Sequence, residues 1–132
     1  YVHNAYRKNI GKIISVLKYT TKSFDANITS FAKNVCMHIA ALKPESIDEN
    51  NLDQELVNKE LTIQKELIAS SGKPENVIDK ILEGKMKKFY SEVTLLNQGY
   101  VLNPDKTVRE VINTEYKEHN FEIRMFNIIS LT

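Results

Sequence analysis

Apolar and polar positions along this chain follow two different periods, and the switches between them mark out its elements. Over residues 10–19, Ile10, Ile14 and Val16 alternate with Gly11, Ile13, Ser15 and Leu17, a β-branched run that predicts a strand covered on both faces. Between residues 25 and 42 the period changes. Ile28, Phe31, Ala32, Val35, Ile39 and Leu42 recur at spacings of three and four, the stripe of an amphipathic helix. Asp25 or Asn27 supplies its N-cap, and Pro44 ends it by disfavouring helical geometry at Lys43.

Residues 51–71 are rich in Gln, Glu, Lys and Leu, with Leu56, Val57, Leu61, Ile63, Leu67 and Ile68 forming a narrow apolar seam. Gly72 suits the left-handed position after a helix and Pro74 the first turn of the next, so residues 70–74 predict a tight helix-to-helix turn. The return helix carries Val77, Ile78, Ile81, Leu82, Met86, Phe89 and Val93. Two helices of similar length with narrow stripes and a short connection predict an antiparallel, coiled-coil-like hairpin. Gly84 lies within the second helix, where it costs about 1 kcal/mol relative to Ala and signals a bend or a close contact.

Beyond Leu95, Asn97-Gln98-Gly99 and Asn103-Pro104-Asp105 are loop chemistry on either side of the short run 100–102. Thr107-Val108-Arg109-Glu110 matches a capping box, followed by a helix that turns Val108, Val111, Ile112 and Tyr116 inward. Phe121, Ile123 and Met125 then alternate with Glu122 and Arg124, and Phe126, Ile128 and Ile129 continue a strand able to pair with the first. The expected fold class is α+β, with residues 1–132 as a single domain. It combines a small antiparallel sheet packed with helices and a helical hairpin inserted at about 52–92.

Composition narrows the function more by exclusion than by motif. At 132 residues, 42% hydrophobic and 27% charged, the chain has the size of one globular domain. It opens at Tyr1 with no basic leader and no apolar stretch long enough to span a bilayer, so neither signal peptide nor membrane partner is expected. A net charge of +1 removes the field that drives phosphate-backbone binding, so nucleic acid is not an expected partner. Lys85, Lys87 and Lys88 spread around a helix and suit a solvated face, as do Asp48 and Glu49; Glu55 and Lys59 form an i,i+4 pair.

Enzyme chemistry finds no foothold: there is no nucleophile with its base, no Cys/His metal spacing and no glycine-rich loop opening a helix, so no cofactor is expected. His3, His38 and His119 are scattered singly. His38 lies beside the core stripe, as a hydrogen-bonded structural histidine would, and the single Cys36 suits a small buried hydrophobe in a reducing compartment.

Several segments carry a family resemblance when taken in order. They are Met37-His38-Ile39-Ala40-Ala41 with Lys43-Pro44-Glu45, then Ser71-Gly72-Lys73-Pro74, then Ile81-Leu82-Glu83-Gly84-Lys85-Met86-Lys87-Lys88-Phe89-Tyr90. Glu92-Val93-Thr94-Leu95-Leu96-Asn97-Gln98 and Lys106-Thr107-Val108 follow. Together they resemble the C-terminal, EF-Tu-binding subdomain of the elongation factor Ts family, from Tyr1-Val2-His3 to the final strand. The resemblance implies a partner, the translational GTPase EF-Tu, and a role in exchanging its GDP for GTP without covalent chemistry. It places the contacting histidine at His3 and the neighbourhood of Met37, His38 and Gln98 as support for that surface. Asn4 and Gly99 stand where the family commonly has Gly and Pro. The family's Thr-Asp-Phe-Val motif, which acts at the magnesium site of EF-Tu, does not occur in these residues, so weak binding and poor exchange are expected of this stretch alone. A structural dimerisation module, joined through the hairpin or the sheet, is the alternative. The resemblance implies a bacterial cytoplasm, or alternatively the mitochondrial matrix.

Overall fold

The computed structural model describes residues 1–7 and 10–130, and the side chains of residues 3–11 lie outside the described residues. The fold is α+β. Strands β1 (Val2–Arg7), β2 (Ile10–Thr20) and β5 (Glu122–Ser130) form an antiparallel sheet in the order β1-β2-β5. Between β2 and β5 the chain makes helices α1 (Ala26–Leu42), α2 (Gln54–Ala69) and α3 (Glu75–Val93), a small hairpin of β3 (Gly99–Tyr100) and β4 (Asn103–Thr107), and helix α4 (Val108–Glu115).

Helix α1 is the spine of the main core. Its N-cap is Asp25, whose carboxylate accepts the Ile28 N–H at 2.9 Å. The predicted stripe is buried, with Ile28, Phe31, Val35 and Ile39 essentially inaccessible, and Leu42 alone turns outward. Around it close Leu95, Tyr100, Val108, Val111, Phe121 and Ile123, with rings at the centre: Phe31 stacks on Tyr116 at 4.0 Å and meets Phe121 edge-on at 5.1 Å. Each fully buried Ile or Phe of this kind contributes about 1.5–3 kcal/mol of apolar burial. The helix ends at Lys43, which takes a left-handed conformation at φ 47°, unusual for a residue with a Cβ, while its N–H still donates to the Ile39 carbonyl.

Among the described side chains, β2 is covered mainly on one face, which corrects the expectation for residues 10–19. Ser15 is buried and donates its hydroxyl to the Cys36 carbonyl at 2.6 Å, and Leu17 and Tyr19 join the core, whereas Val16 on the opposite face is 45% exposed. Ile10 and Gly11, part of the same expectation, have side chains outside the described residues. In β5 the inward parity changes along the strand. Ile123 is buried and Phe126 and Ile128 pack on the core, while Met125 and Ile129 are about half exposed. The cause lies in the register: Lys18 faces Met125 but Tyr19 faces Ile123, so Arg124 is an extra residue that flips the remainder of the strand.

Helices α2 and α3 carry a second, smaller cluster of Leu52, Val57 and Met86 with Leu56, Leu82, Phe89 and Val93. The start of α2 meets the end of α3 there, and Ile68 and Ile81 line a common cavity at the other end, so the two helices run antiparallel. Gly72 takes the turn at φ 68°. Two expectations change. Gly84 is exposed with nothing within 4 Å of where a Cβ would stand, so no close contact requires it. The stretch after Leu95, expected as loop, pairs as β3 and β4, with Gly99 against Thr107 and a Cβ at Gly99 brought to 3.1 Å of the Pro104 carbonyl oxygen. The Thr107 cap holds, its hydroxyl accepting the Glu110 N–H at 3.1 Å.

Because Gly84 is helical and uncrowded, Gly84→Ala is expected to stabilise the fold by up to about 1 kcal/mol. The urea midpoint at constant m-value measures it, and a loss of stability would show that the site depends on glycine.

Candidate functional site

The sequence singled out His38 and Gln98 sixty residues apart, and the fold brings their side chains into contact. His38 follows Val35 by three residues on α1, which turns it into the core stripe, where it is fully buried. Its Nδ1 accepts the backbone N–H of Val101 at 3.1 Å, so the proton resides on Nε2, which donates to Gln98 Oε1 at 2.9 Å. The Tyr100 ring lies nearly parallel to the imidazole, 6.1 Å away.

Gln98 is a hub with every polar group engaged. Besides accepting from His38, its side-chain amide donates to the Glu92 carbonyl at 2.9 Å, its N–H donates to the Thr94 carbonyl, and its carbonyl accepts from Val108. Glu92 belongs to the last turn of α3, where helix carbonyls lack internal partners. The neighbouring carbonyls are also taken from outside the helix: Val93 accepts from Glu45 N–H at 2.7 Å, and Tyr90 accepts from the Thr94 N–H and hydroxyl. One relay of side chains therefore joins α1, the β3–β4 hairpin and the root of the helical pair.

Met37 is half-buried on α1 beside His38, one residue from the Cys36 carbonyl that binds Ser15. His3 enters through its backbone, paired with Ile13 in the sheet; its side chain lies outside the described residues. Ser15 in turn pairs with Tyr1 through two 2.9 Å bonds, so the start of β1 and the Cys36–Met37 turn of α1 meet at the same end of the sheet.

A second cluster escaped the sequence reading, which took Glu49 as a solvated charge. The Glu49 carboxylate accepts from the Asn97 amide at 2.7 Å and lies 3.7 Å from Arg109. Its pKa is held below the ordinary value by its own backbone N–H, then by Asn97 and Arg109, against the opposing effect of burial. Asp48 caps the short turn Glu49–Asn51 by accepting the N–H groups of Asn50 and Asn51. An acidic residue followed by two potential turn residues was the available signal. Elsewhere, His119 Nε2 donates to the Asp25 carboxylate at 2.9 Å, and the pKa of Tyr100 is pushed up to about 12 by burial and then by the neighbouring Tyr116. Among the described residues no group of His, Cys, Asp and Glu gathers to hold a metal ion, and no helix is long and apolar enough to cross a membrane.

The family described as Elongation factor TS matches residues 1–131. Elongation factor Ts of Jannaschia sp. (strain CCS1) is 48% identical over 126 residues, covering 96% of this chain and 40% of that protein. Elongation factor Ts of Rickettsia akari is 39% identical over 130 residues, 98% of this chain and 42% of the relative. That of Roseobacter denitrificans is 51% identical over 108 residues, 82% of this chain and 35% of the relative. The chain belongs to the elongation factor Ts family, and it spans about two fifths of the length of the first of these relatives.

Removing the Gln98 side chain leaves the His38 Nε2–H and the Glu92 carbonyl without these partners, so Gln98→Ala is expected to cost about 1–3 kcal/mol in urea unfolding. Burial holds the His38 imidazole below its ordinary 6.5, the Gln98 hydrogen bond opposing it. Below that pH the unfolded chain binds a proton that the fold refuses, so stability is level above it and falls as pH drops through it. Unfolding midpoints measured from about pH 7 to about pH 5 should decline, and part of that slope should vanish in His38→Gln.

Proposed function

We propose that this chain is the part of an elongation factor Ts that docks on EF-Tu and supports exchange of its GDP for GTP during translation, in a bacterial cytoplasm or, as the alternative, the mitochondrial matrix. The observation that carries this reading is the family match over residues 1–131. An exchange factor works by binding the nucleotide-free GTPase more tightly than the loaded one, so it is not an enzyme of covalent chemistry and needs no cofactor of its own. What it does need is a surface that keeps its shape. The His38–Gln98 relay supports the reading on this point, because it fixes α1, and with it Met37, relative to the root of the helical pair. In this reading His3 and Met37 touch EF-Tu, while His38 and Gln98 act from beneath as positioning residues.

A second reading rests on one observation: the outer sheet face presents Val16, Met125 and Ile129, each about half exposed. Such a face suits a second copy of the chain, which would make this a dimerisation module.

Calorimetry with nucleotide-free EF-Tu and with EF-Tu·GDP tests the first reading. Preferential binding of the nucleotide-free form is expected, weakened roughly tenfold by His3→Ala. Release of fluorescent GDP should be accelerated only slightly, since no Thr-Asp-Phe-Val motif occurs in the chain. Absence of binding would overturn the docking role. Sedimentation of the chain alone separates the two readings, a monomer that binds EF-Tu removing the second.

A further inference from the structure

A groove runs along the outer edge of β5. Two cavities of about 420 Å³ and about 440 Å³ lie side by side and share Ile47, Asn51 and Arg124 in their walls. Strand β5 forms one wall from Glu122 to Ile128, and residues 44–48 form much of the other. Leu96, Ile112 and Phe126 contribute apolar lining.

The strand bordering this groove is an edge strand. Among the described residues β5 pairs only with β2, and no backbone hydrogen bond joins it to the opposite wall. That wall is already satisfied from behind, with Glu45 donating to Val93 and the Ser46 and Ile47 carbonyls accepting from Leu95 and Leu96. An unpaired strand edge is a template for an added strand, and alternate side chains of such a strand would enter the cavities.

The charges say what one of those side chains should be. Two of the acids lining the groove are already engaged: Glu122 is paired with Arg124 at 3.1 Å, and Asp48 accepts from the N–H groups of Asn50 and Asn51 and from the Asn51 amide. Arg109 is not. Its terminal nitrogen reaches Glu49 only at 3.7 Å, and its Nε is buried with no hydrogen-bond partner among the described residues. The Arg109 side chain as a whole is 44% exposed, but an Nε–H buried without an acceptor is rare, and a carboxylate is the acceptor that matches guanidinium geometry.

We propose that this groove binds an extended peptide of about seven residues, which adds to the outer edge of β5 as a strand and sets an Asp or Glu side chain against Arg109. The proposal is independent of the EF-Tu reading. A random heptapeptide library with blocked termini, selected on the full chain, provides the test. Selected peptides should share an acidic residue at one position and shift the β5 amides and Arg109 Nε in nuclear magnetic resonance spectra. Replacing that acid by its amide, or N-methylating alternate backbone nitrogens, should weaken binding roughly tenfold. Arg109→Gln should erase the preference for acid over amide, while Glu49→Gln, which removes the neighbouring acid and keeps Arg109, should retain it. No enrichment, binders indifferent to N-methylation, shifts confined to another face, an unchanged preference in Arg109→Gln or a lost one in Glu49→Gln would each overturn the proposal.

Discussion

The structure depends on a buried imidazole that has to find two partners. His38 occupies a core position on α1 where an apolar side chain would need nothing, and its two nitrogens, fully buried, instead require a donor and an acceptor from the protein. Val101 and Gln98 supply them. Because Gln98 can reach His38 only when the segment after α3 follows one path, the demand of a single ring fixes the β3–β4 hairpin and the end of α3 together. A hydrophobic residue at this position could add stability, but it would not specify one arrangement in this way.

The helical pair is consequently anchored by polar contacts at its root and packed by apolar contacts along its length. Its cluster around Val57 and Met86 shares no buried residue with the core around Phe31 and Val35. Orientation and cohesion thus have separate physical sources. The carbonyls of Tyr90, Glu92 and Val93 govern how the pair leaves the body, and its own seam governs whether it holds together.

Much of this was legible in the order of residues, because it follows from local periodicity. The α1 stripe, the turn at Gly72, the Thr107 cap and the pairing of the last strand with β2 are all consequences of spacing or of one residue's conformational preference. What could not be read depends on partners distant in sequence. Nothing near Ser15 indicates that the described part of β2 is covered mainly on one face. The extra residue at Arg124 is invisible until β2 is laid beside it, and strict alternation there would have turned Met125 inward. His38 and Gln98 were both marked through family resemblance, but their contact spans a separation that no periodicity reports. Glu49 is exposed, as a solvated charge would be, but its contacts with Asn97 and Arg109 could not be read because they form only after α4 has folded onto the core.

The root of the pair also sets a mechanical scale. Helix α3 has 19 residues, which at the α-helical rise makes an arm of about 28 Å. A tilt of about 10° at its base would carry the far end near Gly72 through about 5 Å, roughly one helical turn. The hydrogen bonds that Gln98, Glu45 and Thr94 make to the final carbonyls therefore act as the fulcrum of a lever. Tenths of an ångström at that fulcrum become ångströms at the tip, so the aim of the most distant residues is decided by atoms that never leave the core.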